Sequence, residues 1–180
     1  MLDKNNDNNK NSFISWAVFC MGTGTLIFLD QLLKLWSTEN LADGPPRVLL
    51  DGVLGLTYFH NTGAAFGFLA DFSWGRWAIT ALVMALLAAV IWYYWRLPLY
   101  HKMWFARVPL IFIFAGGIGN LIDRFRLGYV VDMLEFLFID FAIFNLADVY
   151  VTAGAFMMVA VVILLGKDAP WPFNDGKDAA

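Results

Sequence analysis

The chain has 180 residues, 60% of them hydrophobic, 17% aromatic and only 15% charged, well short of the roughly one-quarter charged share of a soluble domain. With a mean hydropathy of +0.62, that composition excludes an ordinary soluble fold and predicts a membrane protein. The net charge of −3 gives no basis for a nucleic-acid partner, and a single cysteine, Cys20, cannot form an internal disulfide.

Residues 1–12 are almost all Asn, Asp and Lys and are predicted to be a disordered tail with nothing to bury. A first apolar run, Phe13 to Leu29, is near bilayer length and has no small-residue cleavage site after it. It ends in Asp30-Gln-Leu-Leu-Lys34, where Asp30 and Lys34 are spaced to meet on one helix face. From there the character changes. Pro45-Pro46 bars helix, Asp51-Gly52 signals a turn, and Val53 to Phe59 favours strand. Residues 37–73 are read as a small β-rich cap, too short for its own core and so resting on the helices or the lipid surface.

A second span, Trp77 to Trp95, carries Trp and Tyr at both ends as interfacial anchors. Arg96 to Arg107 reads as a short basic loop. A third span, Val108 to Ile122, closes on Asp123-Arg124, and the chain is then amphipathic through Asp140. A fourth span runs from Asn145 to Gly166, before a polar tail at 167–180. The predicted fold is therefore all-α, with four transmembrane helices, a small β-rich cap and a short amphipathic segment. Residues 13–166 form the membrane domain. The loop from Arg96 to Arg107 holds three basic residues and no acid, which predicts that it and both termini are cytoplasmic. The cap, Asp30, Asp123, Asp132 and Asp148 then share the outer face, with ten of the fifteen acids.

Acids against membrane-length apolar runs are expensive and mark candidate sites. Asp132, between Val131 and Met133, should be desolvated and hold its proton more readily. Asp148, in the first turn of the fourth helix, sits where the dipole favours negative charge. A carboxyl that holds its proton and one that stays ionised divide the labour of general acid–base hydrolysis. Each residue also has a bland reading. Asp148 fits a helix-start acid, and Asp132 fits a loop acid facing water. Asn145, three before Asp148, fits an N-cap. Asn120, Asp123 and Arg124 fit a helix-end polar cluster, and Asp30 with Lys34 fits a pair snorkelling to the interface. Gly116-Gly117 and Gly119 read as close helix packing. Cys20 reads as an apolar filler, and His60 as structural. With His60 and His101 far apart and no His/Cys cluster, no metal or cofactor is implied.

Five motifs, taken together, resemble bacterial lipoprotein signal peptidase, or signal peptidase II. They are Asp30-Gln-Leu-Leu-Lys34, Asn61-Thr-Gly-Ala-Ala-Phe66, Gly116-Gly-Ile-Gly-Asn120-Leu-Ile-Asp123-Arg124, Val130-Val-Asp132 and Phe144-Asn145-Leu-Ala-Asp148. The resemblance implies an intramembrane aspartyl protease of the bacterial plasma (inner) membrane. It would remove the signal peptide of a prolipoprotein just before a diacylglyceryl-modified cysteine. Asp132 and Asp148 would be its catalytic pair at the periplasmic side. Asn61, Asn120, Asp123, Arg124 and Asn145 would line or brace the site, and Asp30 and Lys34 would hold the first helix against it. The loop around Asn61 and Phe66 would cradle substrate, with Gly67 where the family often has Ser. The partners implied are the lipidated prolipoprotein and membrane lipid, with the enzyme a monomer.

Two other classes compete. A proton-coupled carrier would carry acids through the depth of its spans, and the span middles here have none. A structural lipid-binding protein would be indifferent to neutralisation of Asp132 or Asp148.

Overall fold

The computed structural model describes residues 2–63, 75–99 and 103–166. The elements in order are α1 (Leu2–Leu41), β1 (Arg47–Leu50), β2 (Leu54–Asn61), α2 (Gly75–Arg96), α3 (Trp104–Arg126), β3 (Val130–Phe136) and α4 (Leu146–Leu165). Among the described residues four helices are long and apolar enough to cross a membrane, and the three strands form one antiparallel sheet in the order β1-β2-β3. The fold is the four-helix membrane architecture with a small β-rich cap that the sequence predicts.

The differences are local. Where a disordered tail is predicted over 1–12, α1 continues through residues 2–12, since a formed helix extends at one hydrogen bond per added residue. At its other end α1 runs past Lys34 to Leu41, so the cap begins later than residue 37. Leu41 is the reason: it is buried with Val131 and Met133 beneath the sheet. Helix α3 starts at Trp104 and ends at Arg126, longer at both ends than the predicted span. The amphipathic stretch after Arg126 is mostly strand β3. Its first four residues are buried on both faces, so it lacks the alternation by which a strand is recognised. Phe66 and Gly67 of the expected cradle, and the tail at 167–180, lie outside the described residues.

Helix α3 is the centre of the bundle, packing against α1, α2 and α4. It ends on an αL glycine: Gly128 has φ +83° and donates its N–H to the Arg124 carbonyl, the usual way a helix stops and re-aims the chain. That turn sends the backbone straight into β3. Beyond β3 the chain folds back, with Phe144 bridging Leu134 in both hydrogen-bonding directions, and enters α4 at Asn145.

Arg107 departs from the cytoplasmic-loop reading. It lies in the second turn of α3 and is buried. Its Nε donates to Ser15 Oγ at 3.0 Å, Nη1 to the Pro98 carbonyl at 3.0 Å and Nη2 to the Leu97 carbonyl at 2.8 Å. The rings of Tyr94 and Trp104 flank the guanidinium at 5.4 and 5.6 Å. It thus ties α1, the end of α2 and α3 together at the bundle end remote from the sheet.

Candidate active site

At the sheet end, three elements deliver polar side chains to one buried point. Helix α1 brings Asp30, Gln31 and Lys34 on its inward stripe. The last turns of α3 bring Asn120, Asp123 and Arg124. The return from β3 into α4 brings Asp132, Asn145 and Asp148. Gly119 permits the approach of α1 and α3, because a Cβ there would lie 2.6 Å from Asp30 Oδ2.

Lys34 is the hub of the inner layer. Its ammonium forms ion pairs of 3.0 Å with both Asp30 Oδ2 and Asp123 Oδ2, and donates to Asn120 Oδ1 at 2.9 Å. Three protons thus meet three acceptors. Asp30 Oδ1 accepts the backbone N–H of Ala147 at 2.9 Å, one of the N–H groups that the first turn of α4 cannot satisfy internally. Asp123 Oδ2 also accepts the Val131 N–H at 3.1 Å, pinning the start of β3. The snorkelling alternative for Asp30 and Lys34 does not describe this pair, which is buried.

The two asparagines carry this order outward. With Asn120 Oδ1 turned to Lys34, its Nδ2 donates to Asp148 Oδ1 at 2.7 Å. Asn145 N-caps α4 in a reciprocal capping box: its Oδ1 accepts the Asp148 N–H at 3.0 Å, and Asp148 Oδ2 accepts the Asn145 N–H at 3.1 Å. The Asn145 Nδ2 then donates to Asn120 Oδ1 at 3.0 Å and to Asp132 Oδ1 at 2.5 Å. From the opposite strand, Asn61 Nδ2 donates to Asp132 Oδ2 at 2.9 Å. The reading of Asn145 as a cap holds, and the same amide also reaches Asn120 and Asp132.

All four carboxylate oxygens of Asp132 and Asp148 therefore accept an N–H, and a continuous bridge (Asp132, Asn145, Asn120, Asp148) joins them. Asp132 is fully buried in β3, not a loop acid facing water. Burial pushes its carboxyl up from 3.8 to about 6; the charge of Asp148 adds to the rise, and the bonds from Asn61 and Asn145 oppose it. Such a carboxyl gains or loses a proton near neutral pH, as a general acid–base group must.

Arg124 stands apart from the ion pairs of this cluster. It donates to its own helix at Asn120 O over 3.4 Å and lies in the field of Asp148, Asp132 and Asp123, but Lys34 takes the direct ion pairs. Gln31, which sequence reasoning missed, donates to Asp123 Oδ1 at 3.1 Å, Asp30 Oδ2 at 3.2 Å and the Gly119 carbonyl at 3.2 Å. Its adjacency to Asp30 was the available signal. Among the described residues no cluster of His, Cys, Asp and Glu is arranged to hold a metal ion.

Four membrane-length helices around an amide-bridged carboxyl pair, Asp132 buried and Asp148 half-buried, fit a class: a multi-pass membrane peptidase of the aspartic type. The family model for signal peptidase II matches residues 23–164, and the chain belongs to that family. It is 42% identical over 142 residues to a lipoprotein signal peptidase of Streptococcus pyogenes serotype M6, covering 79% of this chain and 90% of that one. The serotype M5 protein of the same name is 41% identical over the same shares. A bacterial membrane enzyme solved by the in meso method at 1.9 Å superposes with a TM-score of 0.69 at 26% identity, covering 85% of this chain and 95% of that chain.

Proposed function

We propose that Asp132 and Asp148 are the carboxyls with which this signal peptidase II removes signal peptides from prolipoproteins, cutting on the N-terminal side of a diacylglyceryl-modified cysteine. The observation that carries the assignment is the amide bridge. Four N–H donors hold the two side chains in one arrangement, leaving the remaining lone pairs to share a proton and a water. In this reading Asp148 draws the proton from the attacking water as the peptide carbon becomes tetrahedral. Asp132 gives its proton to the carbonyl oxygen; Asp148 then passes the water's proton to the departing amide nitrogen while Asp132 takes one back from the tetrahedral hydroxyl. The pair titrates as a unit, so the two roles exchange as the cycle closes. Asn61, Asn120 and Asn145 orient the carboxyls, and Asp30, Lys34, Asp123 and Arg124 hold the helices that carry them.

The protein acts in the bacterial inner membrane as a monomer, with both termini cytoplasmic and the carboxyl pair at the periplasmic rim. Arg96 and Lys102, the basic residues left around the connection after α2, support that orientation. The sheet rests on the outer leaflet: β1 is exposed along its whole length, and its Val48, Leu49 and Leu50 are joined by exposed Leu137, Phe138, Ile139 and Phe141 after β3. That much apolar surface is far beyond what a water-facing cap would carry. It also gives the acyl chains and the signal helix of a tethered substrate a continuous apolar approach.

The test is cleavage of a lipidated prolipoprotein by protein reconstituted in lipid vesicles. Asp132→Asn and Asp148→Asn, each correctly inserted, should each lower the rate by about 10⁴-fold. Wild-type processing by either variant would refute the assignment.

A further inference from the structure

The register of β2 on β3 places one more side chain at the carboxyl pair. Phe59 is the cross-strand partner of Asp132, and directly opposed residues present their side chains on the same face, with Cβ atoms about 4.5–5.5 Å apart. The neighbouring contacts fix which face this is. Two residues on, Asn61 bonds Asp132 Oδ2. The residue between, His60, turns to the other face, where its ring lies 4.0 Å from that of Tyr129 and its Nε2 is 3.0 Å from Tyr58 Oη. Phe59 therefore stands beside the buried Asp132 carboxyl while remaining 45% exposed. Among the described residues its ring stacks on no other.

We propose that Phe59 is a substrate-contacting residue that limits the size of the side chain on the N-terminal side of the scissile bond. The inference rests on the function proposed above, in which the residue on the C-terminal side is always the lipidated cysteine, so only the N-terminal neighbour varies. A planar ring beside the acid that protonates the peptide carbonyl occupies room that a branched or long side chain at that neighbour would need. A small side chain leaves the peptide carbon within reach of the pair, whereas a bulky one must displace the ring or hold the bond away.

The test uses full-length protein in lipid vesicles and three lipidated prolipoproteins that differ only in the residue before the cleaved bond: Ala, Val or Leu. Wild-type protein should favour Ala over Leu in kcat/KM. Phe59→Ala should raise the Leu-to-Ala ratio of kcat/KM by about tenfold or more, since a methylene in an apolar site is worth roughly 10-fold to 200-fold. Phe59→Leu, which keeps an apolar filling, should fall between the two. Should Phe59→Ala fail to fold, Phe59→Leu decides by the same ratio. A ratio unchanged by the folded variant would overturn the inference while leaving the catalytic assignment intact. Wild-type protein that cleaves none of the three would instead refute the proposed function and this inference with it.

Discussion

The two ends of the bundle each bury a cation, and they do so by opposite means. At the sheet end, Lys34 is answered by two carboxylates and an amide oxygen. At the other end, Arg107 is answered by a hydroxyl, two backbone carbonyls and two aromatic faces, and among the described residues no carboxylate pairs with it. The difference follows from what each end does. In the function proposed above, Lys34 orients Asn120 and holds carboxylates in place beside the Asp132–Asp148 pair, which calls for fixed charge of both signs. Arg107 closes helices on one another, and neutral oxygens suffice because the guanidinium fork matches carbonyls set at fixed positions.

Removing each cation sharpens the contrast. Lys34→Met would leave Asp30 and Asp123 facing each other in the interior with only neutral N–H donors, a loss of about 3–5 kcal/mol. Thermal unfolding of the detergent-solubilised protein should show it, and processing should fall with it as Asn120 loses the contact that turns its amide. Adding Asp30→Asn and Asp123→Asn should recover part of the lost stability without restoring cleavage. If Lys34→Met is no less stable than wild type, the ion cluster is not what holds this end together.

The sheet end also carries a carboxyl whose charge changes in mildly acid solution. Asp132 titrates at about 6 in the folded protein against 3.8 ordinarily. Between these values the folded chain keeps a proton that the unfolded chain has released. Stability should therefore fall as pH rises from about 4 to about 6, by about 3 kcal/mol in all, and the contribution is flat outside that window. Asp132→Asn should lose this part of the slope, whereas Arg107→Met should retain it. An identical pH dependence of the melting temperature in wild type and Asp132→Asn would break this account.

How much was legible in the sequence differs between the ends for the same physical reason. Charged groups in apolar runs stand out, so Asp30, Lys34, Asp123, Asp132 and Asp148 could be singled out one by one, and the family resemblance supplied their order. What could not be read was connection. Gln31 looks like any polar residue at a helix end until the tertiary fold brings Asp123 and the Gly119 carbonyl to it. Strand β3 is hidden because burial on both faces removes the alternation that marks a strand. Arg107 reads as a loop residue because a basic residue beside an apolar run usually faces the aqueous side. Its partners are backbone carbonyls at Leu97 and Pro98, and a sequence does not display where a carbonyl will point. The same holds for Phe59, whose place beside Asp132 depends on a register interrupted by an irregularity between Leu56 and Phe59.

The smallest of the expected effects is the one that separates the two ends most cleanly. Arg107→Met removes the guanidinium and leaves behind only the Ser15 hydroxyl and the carbonyls of Leu97 and Pro98. Ser15 Oγ keeps its 3.0 Å contact with Tyr94 Oη, so a single new unmet group is not created there. The two carbonyls are the real loss, at about 1–3 kcal/mol for buried acceptors left unpaired. Arg107→Lys should recover little, since one ammonium on a flexible stem cannot serve three oxygens set in a fork. Because the cluster lies at the far end from Asp132 and Asp148, cleavage per folded molecule should stay within about threefold of wild type, in contrast to Lys34→Met. A loss of catalysis in a stably folded Arg107→Met protein would mean that the two ends are energetically coupled through α3, and the division of the bundle into a working end and a fastening end would have to be given up.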